Sequence, residues 1–182
     1  MASIVVIYHS GYGHTKKQAE AVAGGAKADL IEIDTNGDIT EADWDKLDAA
    51  KAIIMGSPTY MGTVSWQFKK FADASSKAWF TQKWKNKIFA GFTNSATMNG
   101  DKATTIQYLM TFAMQHSGVW VGTGLMPANA KAAKHGDVNY VGGFAGALMT
   151  TPSDASAEEV NAGDLETAKL LGARVAEFAA KA

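Results

Sequence analysis

At 182 residues and 47% hydrophobic content, the chain is long enough for one α/β domain to bury a core unaided, and its lack of cysteine excludes disulfides, thiolate metal sites and thiol redox chemistry. Any redox role therefore needs a bound cofactor. A formal net charge of -1 is too balanced for a nucleic-acid binder with a basic footprint or for a strongly acidic docking surface. No stretch approaches the roughly 18 apolar residues of a membrane span, and the chain enters Ile4-Val5-Val6-Ile7 without a basic leader, so the cytoplasm is the expected location.

Ser3 to Tyr8 is a short, mostly β-branched run that reads as a strand buried on both faces. A glycine-rich turn leads into a helix over Thr15 to Lys27, with Ala19, Val22, Ala23 and Ala26 as its apolar positions. Leu30 to Ile33 is a second strand and Asp43 to Asp48 a short helix. Ala52 to Gly56 is a third strand, followed by the loop Ser57 to Gly62 and a helix over Val64 to Ser76. Lys87 to Phe92 is a fourth strand, Thr93 to Asp101 a polar loop, Lys102 to His116 a helix and Val119 to Val121 a fifth strand. Gly122 to Ser156 is rich in Gly, Ala and Asn; a loop of that length in a compact domain is usually functional or contains further structure. Glu158 to Ala180 is mainly helical. The alternation of strand and helix implies a parallel sheet with right-handed crossovers and helices on both faces.

Ligands of such sheets sit beyond the carboxyl ends of the strands. The loops Ser10 to Thr15, Ser57 to Gly62 and Thr93 to Asp101 leave those ends, and each is rich in hydroxyls, glycine or amides. In the first, Gly11 and Gly13 allow a tight turn that aims N–H groups at one point, Ser10 and Thr15 add hydroxyls, and the helix start adds about half a positive charge. This is chemistry for a terminal phosphate. It is not a P-loop, because the Gly-Lys-Ser/Thr ending is missing. A dinucleotide fingerprint is a closer rival: Gly11 and Gly13 match its first glycines and Glu32 lies where a ribose-binding acid belongs, but Lys16 stands at the third glycine. A ligand-free glycine turn is the remaining alternative. Four scattered histidines without cysteine partners do not compose a metal site.

Tyr8-His9-Ser10-Gly11-Tyr12-Gly13-His14-Thr15 and Gly56-Ser57-Pro58-Thr59-Tyr60-Met61-Gly62 resemble the first and second FMN loops of the WrbA-type NAD(P)H:quinone oxidoreductases, in the flavodoxin-like superfamily. Thr93 to Gly100 falls where the third FMN loop belongs, and the similarity covers nearly the whole chain. It implies a flavodoxin-like, doubly wound, five-stranded parallel sheet of order 2-1-3-4-5. It implies that Ser10, Tyr12, Gly13, His14 and Thr15 hold the FMN phosphate, and that Pro58, Thr59, Tyr60, Met61 and Gly62 line the isoalloxazine. Ser95, Ala96, Thr97, Met98, Asn99 and Gly100 fall to its pyrimidine side. His116 or Ser117 takes the place of a flavin-contacting histidine, and Tyr12 and Trp79 fall at the nicotinamide and quinone pocket. The implied activity is two-electron, ping-pong reduction of a quinone or similar small acceptor by NADH or NADPH through FMN, with no catalytic protein residue. A flavodoxin-type electron carrier, or a flavin protein without quinone turnover, is the alternative. The family also implies a homo-oligomer, dimer or tetramer. The chain departs from the family pattern in three places: Asp34 to Lys51 is short, Tyr60-Met61 replaces an Arg-Phe pair, and Ala96, Met98 and Asn99 replace glycines of the third loop.

Overall fold

The computed structural model describes residues 3–182. Strands β1 (Ile4–Tyr8), β2 (Asp29–Glu32), β3 (Ala52–Tyr60), β5 (Ile88–Ser95) and β6 (Val119–Trp120) form a sheet of order β2-β1-β3-β5-β6, every pair on that path parallel. This is the doubly wound, flavodoxin-like order expected. Helices α1 (His14–Ala26) and α6 (Ala162–Ala179) cover one face; α3 (Trp66–Ala74), α4 (Ser76–Phe80) and α5 (Lys102–Gln115) cover the other, with α2 (Glu41–Ala49) following β2. Period-two alternation divides the core between them. Ile4, Val6 and Tyr8 pack with Val22, Leu171 and Val175, whereas Val5 and Ile7 pack with Phe68, Phe71 and Trp84.

The boundaries nearest the strand ends differ from the sequence reading. Ser57 to Tyr60 is not loop but the extension of β3, which pairs with β5 as far as Pro58 and Asn94 and then folds back through Met61 and Gly62 onto β4 (Thr63–Val64). Val64 thus belongs to that hairpin, and α3 begins after Ser65, whose hydroxyl accepts the Phe68 N–H. β5 likewise runs on to Ser95, which shortens the third loop. The unread segment after β6 holds β7 (Ala147–Thr150), which pairs with Phe92 to Ser95 of β5 while β6 pairs with Ile88 and Phe89. The fifth strand position is thus filled by two segments, with residues 121–146 inserted between them. Glycine patterning hid β7, because a four-residue strand carries little period-two signal.

Helices α1 and α6 approach backbone to backbone. A Cβ added at Gly25 would lie 1.9 Å from the Lys169 carbonyl oxygen, and one at Gly172 would lie 2.0 Å from that of Val22. No described helix is long and apolar enough to cross a membrane.

Candidate functional site

The carboxyl ends of β1, β3, β5 and β7 open on a cleft of about 250 Å³. Its walls come from the first loop (Tyr12, His14, Thr15), the end of β3 (Pro58, Thr59, Tyr60), the end of β5 (Asn94, Ser95, Ala96) and the run after β7 (Thr151, Ser153). No carboxylate is among them.

The first loop turns sharply into the N-terminus of α1. Gly13 adopts φ +87° as the N-cap of α1, a left-handed conformation that glycine takes without strain. The Ser10 hydroxyl accepts N–H groups from Gly13 and Lys16 at 3.1 and 3.2 Å. It therefore occupies the kind of place an anion oxygen takes at a helix N-terminus. Glu32, the would-be ribose acid of the dinucleotide reading, is engaged elsewhere: it accepts the Tyr8 hydroxyl at 3.0 Å and pairs with Lys16 at 3.1 Å. Burial and the Glu32 charge together push the Tyr8 phenol pKa well up. The loop is also tied to the C-terminal side, since His14 Nε2 donates to the Ala155 carbonyl at 2.8 Å.

The second wall is a hydroxyl chain. Thr59 Oγ1 lies 2.9 Å from Thr93 Oγ1 and 2.8 Å from Thr105 Oγ1, and Thr93 donates to the Ser57 carbonyl at 2.7 Å. At the mouth the Tyr12 and Tyr60 rings meet edge-on at 6.3 Å, and Met61 is fully exposed on its positive-φ turn. Burial raises the Tyr60 pKa, with a smaller contribution from Tyr12, so the Tyr60 phenol stays protonated at neutral pH.

Two buried polar atoms of the cleft lack partners: Asn94 Oδ1 and Thr151 Oγ1. Unpaired buried polar groups are rare in folded proteins and mark places where a ligand or ion completes the bonding. Neither Asn94, Thr151 nor Ser153 was among the residues expected. The hydroxyl-rich run Thr150-Thr151-Pro152-Ser153 directly after an apolar stretch is the signal that points to a fourth loop.

Several expected residues lie elsewhere. Ser10 and Gly13 shape the turn into α1 and are not among the cleft walls. Thr97, Met98, Asn99 and Gly100 continue the third loop beyond the wall residues Ser95 and Ala96, with the side chains of Thr97, Met98 and Asn99 exposed. His116 and Ser117 end α5, whose 14 residues span about 21 Å back from the cleft. That places both at the amino edge of the sheet, where Ser117 accepts the Asn86 N–H on its carbonyl and His116 Nε2 bonds Ser75 Oγ at 2.9 Å. Neither can touch a flavin in the cleft of its own chain. Trp79, on α4, lines a separate hollow with His116 and Tyr108.

Burial lowers the His116 pKa to about 4. The folded chain thus keeps the ring neutral, whereas the unfolded ring takes a proton near its ordinary value of about 6.5. Stability is therefore whole above that pH and falls as pH drops towards 4. Between pH 7 and pH 4, urea unfolding of the wild type is expected to lose about 2–3 kcal/mol more than that of His116→Phe. Equal losses in the two proteins count against this assignment.

The family model described as NADPH-dependent FMN reductase matches residues 4–132. The chain belongs to the flavodoxin-like, FMN-binding oxidoreductases. Within that family it is 56% identical to "Flavodoxin FldP" of Pseudomonas aeruginosa, over 98% of this chain and 97% of the relative. It is 34% identical to an "NAD(P)H dehydrogenase (quinone)" of Rhizobium rhizogenes, over 100% of this chain and 98% of that one. Among solved structures it matches a flavodoxin, WrbA-like protein from Agrobacterium tumefaciens with TM-score 0.84 and 50% identity, covering 100% of this chain and 99% of that one. An archaeal flavodoxin, at TM-score 0.61 and 23% identity, shares the fold.

Proposed function

We propose that this chain is an FMN flavoprotein of the flavodoxin type, which holds the phosphate on the turn Ser10 to Thr15 and relays electrons that reach it from NADH or NADPH through a separate reductase. The observation that carries the reading is the pair of buried, unpartnered atoms, Asn94 Oδ1 and Thr151 Oγ1, in a carboxylate-free cleft at the N-terminus of α1. A ribityl phosphate offers hydroxyls for such atoms and a dianion for the helix end. Bound FMN supplies reversible electron transfer; the protein supplies grip, orientation and field. Tyr12 and Tyr60 are placed to flank the ring, and the third loop to take its pyrimidine end.

Carrier function is favoured by the lack of a titratable acid or base among the cleft walls other than His14 and the two tyrosines, and by the name of the relative at 56% identity. NAD(P)H:quinone reduction is the second reading, favoured by relatives of 30–35% identity that bear that name and align over essentially their whole length. A quinone or similar small molecule is then the acceptor. The single domain, cytoplasmic location and homo-oligomeric assembly belong to the same proposal, and light scattering reads the last.

FMN titration followed by stopped-flow mixing tests the proposal. The expected result is a bound flavin spectrum, ready reduction by dithionite, and slow reduction by NADH and NADPH alone. Rapid direct reduction with steady quinone turnover transfers the assignment to the second reading. Failure to bind FMN at saturation overturns the site.

A further inference from the structure

Beside the cleft lies a charged group that neither loop pattern nor family explains. Lys102, the first residue of α5, is a lysine with 1% of its surface exposed. Fully buried lysines are uncommon, because removing an ammonium from water is costly unless acceptors replace the water. Here they do. Lys102 Nζ donates to the carbonyls of Thr97 and Met98 at 2.5 and 3.0 Å, and the Ser95 hydroxyl donates to the same Thr97 carbonyl at 3.1 Å. One carbonyl thus separates the ammonium from a wall of the cleft.

The surroundings of the ammonium are charged as well. Asp164, in the first turn of α6, is buried and acts on Lys102 through space without a direct ion pair. One of its oxygens accepts the Thr150 N–H and His135 Nε2, each at 3.0 Å; the other has no partner. Burial draws the lysine pKa down to about 8, with Asp164 opposing, and draws the aspartate pKa up, with the Thr150 N–H, His135 and Lys102 opposing. These are the ionisable groups that face Lys102 from α6 and from the segment inserted before β7.

Geometry gives the clamp a direction. In a trans peptide the N–H points opposite to the C=O. Anchoring the carbonyls of Thr97 and Met98 on Lys102 therefore turns the N–H groups of Met98 and Asn99 away from the ammonium. The family pattern has glycines in this loop, where this chain has Ala96, Met98 and Asn99. A side-chain clamp can hold the orientation that flexible backbone would otherwise have to find.

We propose that Lys102 is the positioning residue of the third loop: it fixes the Thr97 and Met98 carbonyls so that the following N–H groups meet the pyrimidine end of the flavin, and it sets a positive charge behind that end, countered by Asp164. The proposal rests on the flavin occupying the cleft as read above. Reduced flavin carries negative charge at its pyrimidine end, so a cation behind the loop favours reduced over oxidised cofactor. Clamp and charge are separable, because glutamine can donate to carbonyls without being charged.

The test uses the full chain and three variants, Lys102→Met, Lys102→Gln and Asp164→Asn, each checked for folding by circular dichroism. In the apoprotein, amide exchange of residues 96–100 is expected to be at least tenfold faster in Lys102→Met than in the wild type, with Lys102→Gln between them. In the FMN-loaded proteins, Lys102→Met is expected to bind FMN at least tenfold more weakly. Lys102→Gln is expected to keep most of that affinity yet to bind reduced flavin tenfold less well relative to oxidised, about 30 mV more negative for a two-electron couple. Asp164→Asn is expected to move the potential the opposite way. Unchanged exchange in Lys102→Met overturns the clamp, and unchanged potentials in Lys102→Gln and Asp164→Asn overturn the charge. If Lys102→Met does not fold, Lys102→Gln and Asp164→Asn still decide both parts. A wild type that binds no FMN defeats the reading of the cleft instead, and the exchange measurement then decides the clamp alone.

Discussion

Gly172→Val is expected to destabilise the fold by about 4 kcal/mol, whereas Gly24→Ala, on the outward side of the partner helix between Val22 and Ala26, is expected to stabilise it by about 0.5–1 kcal/mol. The contrast follows from what each new side chain meets. A Cβ at Gly172 would stand 2.0 Å from the Val22 carbonyl oxygen, 2.9 Å from its carbon and 3.0 Å from the Ala26 nitrogen. All three are backbone atoms of α1 and cannot swing aside, so α1 and α6 must part. Separating them opens the small-residue seam of Ala19, Val22, Ala23, Ala168, Leu171 and Val175. Overpacking usually costs about 1–3 kcal/mol, and a rigid obstacle lies at or beyond the top of that range. Gly24 has nothing within 4 Å of its hypothetical Cβ and no positive φ, so alanine there only lowers the entropy of the unfolded chain. Urea midpoints of the two variants check the prediction. A Gly172→Val midpoint within error of the wild type would mean that the helices are not held by this contact.

The same packing shows which parts of the molecule could be read from residues in order. β1 was legible because Ile4-Val5-Val6-Ile7 is apolar at consecutive positions, as burial on both faces of a parallel strand demands. The tight turn Ser10 to Thr15 was legible because glycine at position 13 is a local requirement of the backbone, visible without knowledge of neighbours. The fourth wall was not. Thr151 matters because β7 pairs with the far end of β5, a contact between residues more than 50 positions apart. The distance of His116 from the cleft is likewise set by the fold: α5 carries the chain back across the sheet before His116 is reached. Lys102 stands in the sequence only as the first residue of a helix; its burial beneath two loop carbonyls is what sets it apart. Local backbone demands were therefore readable, whereas wall residues supplied by distant pairing were not.

Gly13→Val is expected to weaken FMN binding at least 100-fold, about 2.8 kcal/mol, while leaving riboflavin binding within a few-fold of the wild type. At φ +87° a β-branched residue is strained by about 1–3 kcal/mol. Its Cβ would also stand 3.1 Å from the Ala157 Cβ, against the segment that His14 ties down through Ala155. The turn relieves both by rotating Gly13 out of the left-handed region. That motion redirects the N–H groups of Gly13 and Lys16, which now converge on the Ser10 hydroxyl. A phosphate held by those groups and by the end of α1 loses its grip, but the walls proposed for the isoalloxazine, Thr59, Tyr60, Ser95 and Ala96, are left in place. The ratio of FMN to riboflavin affinity is therefore the informative quantity, read by quenching of flavin fluorescence on titration. A collapsed ratio locates the phosphate on the Ser10 to Thr15 turn. If FMN and riboflavin lose affinity equally, the variant has damaged the ring site or the fold. If neither loses affinity, the phosphate is held elsewhere.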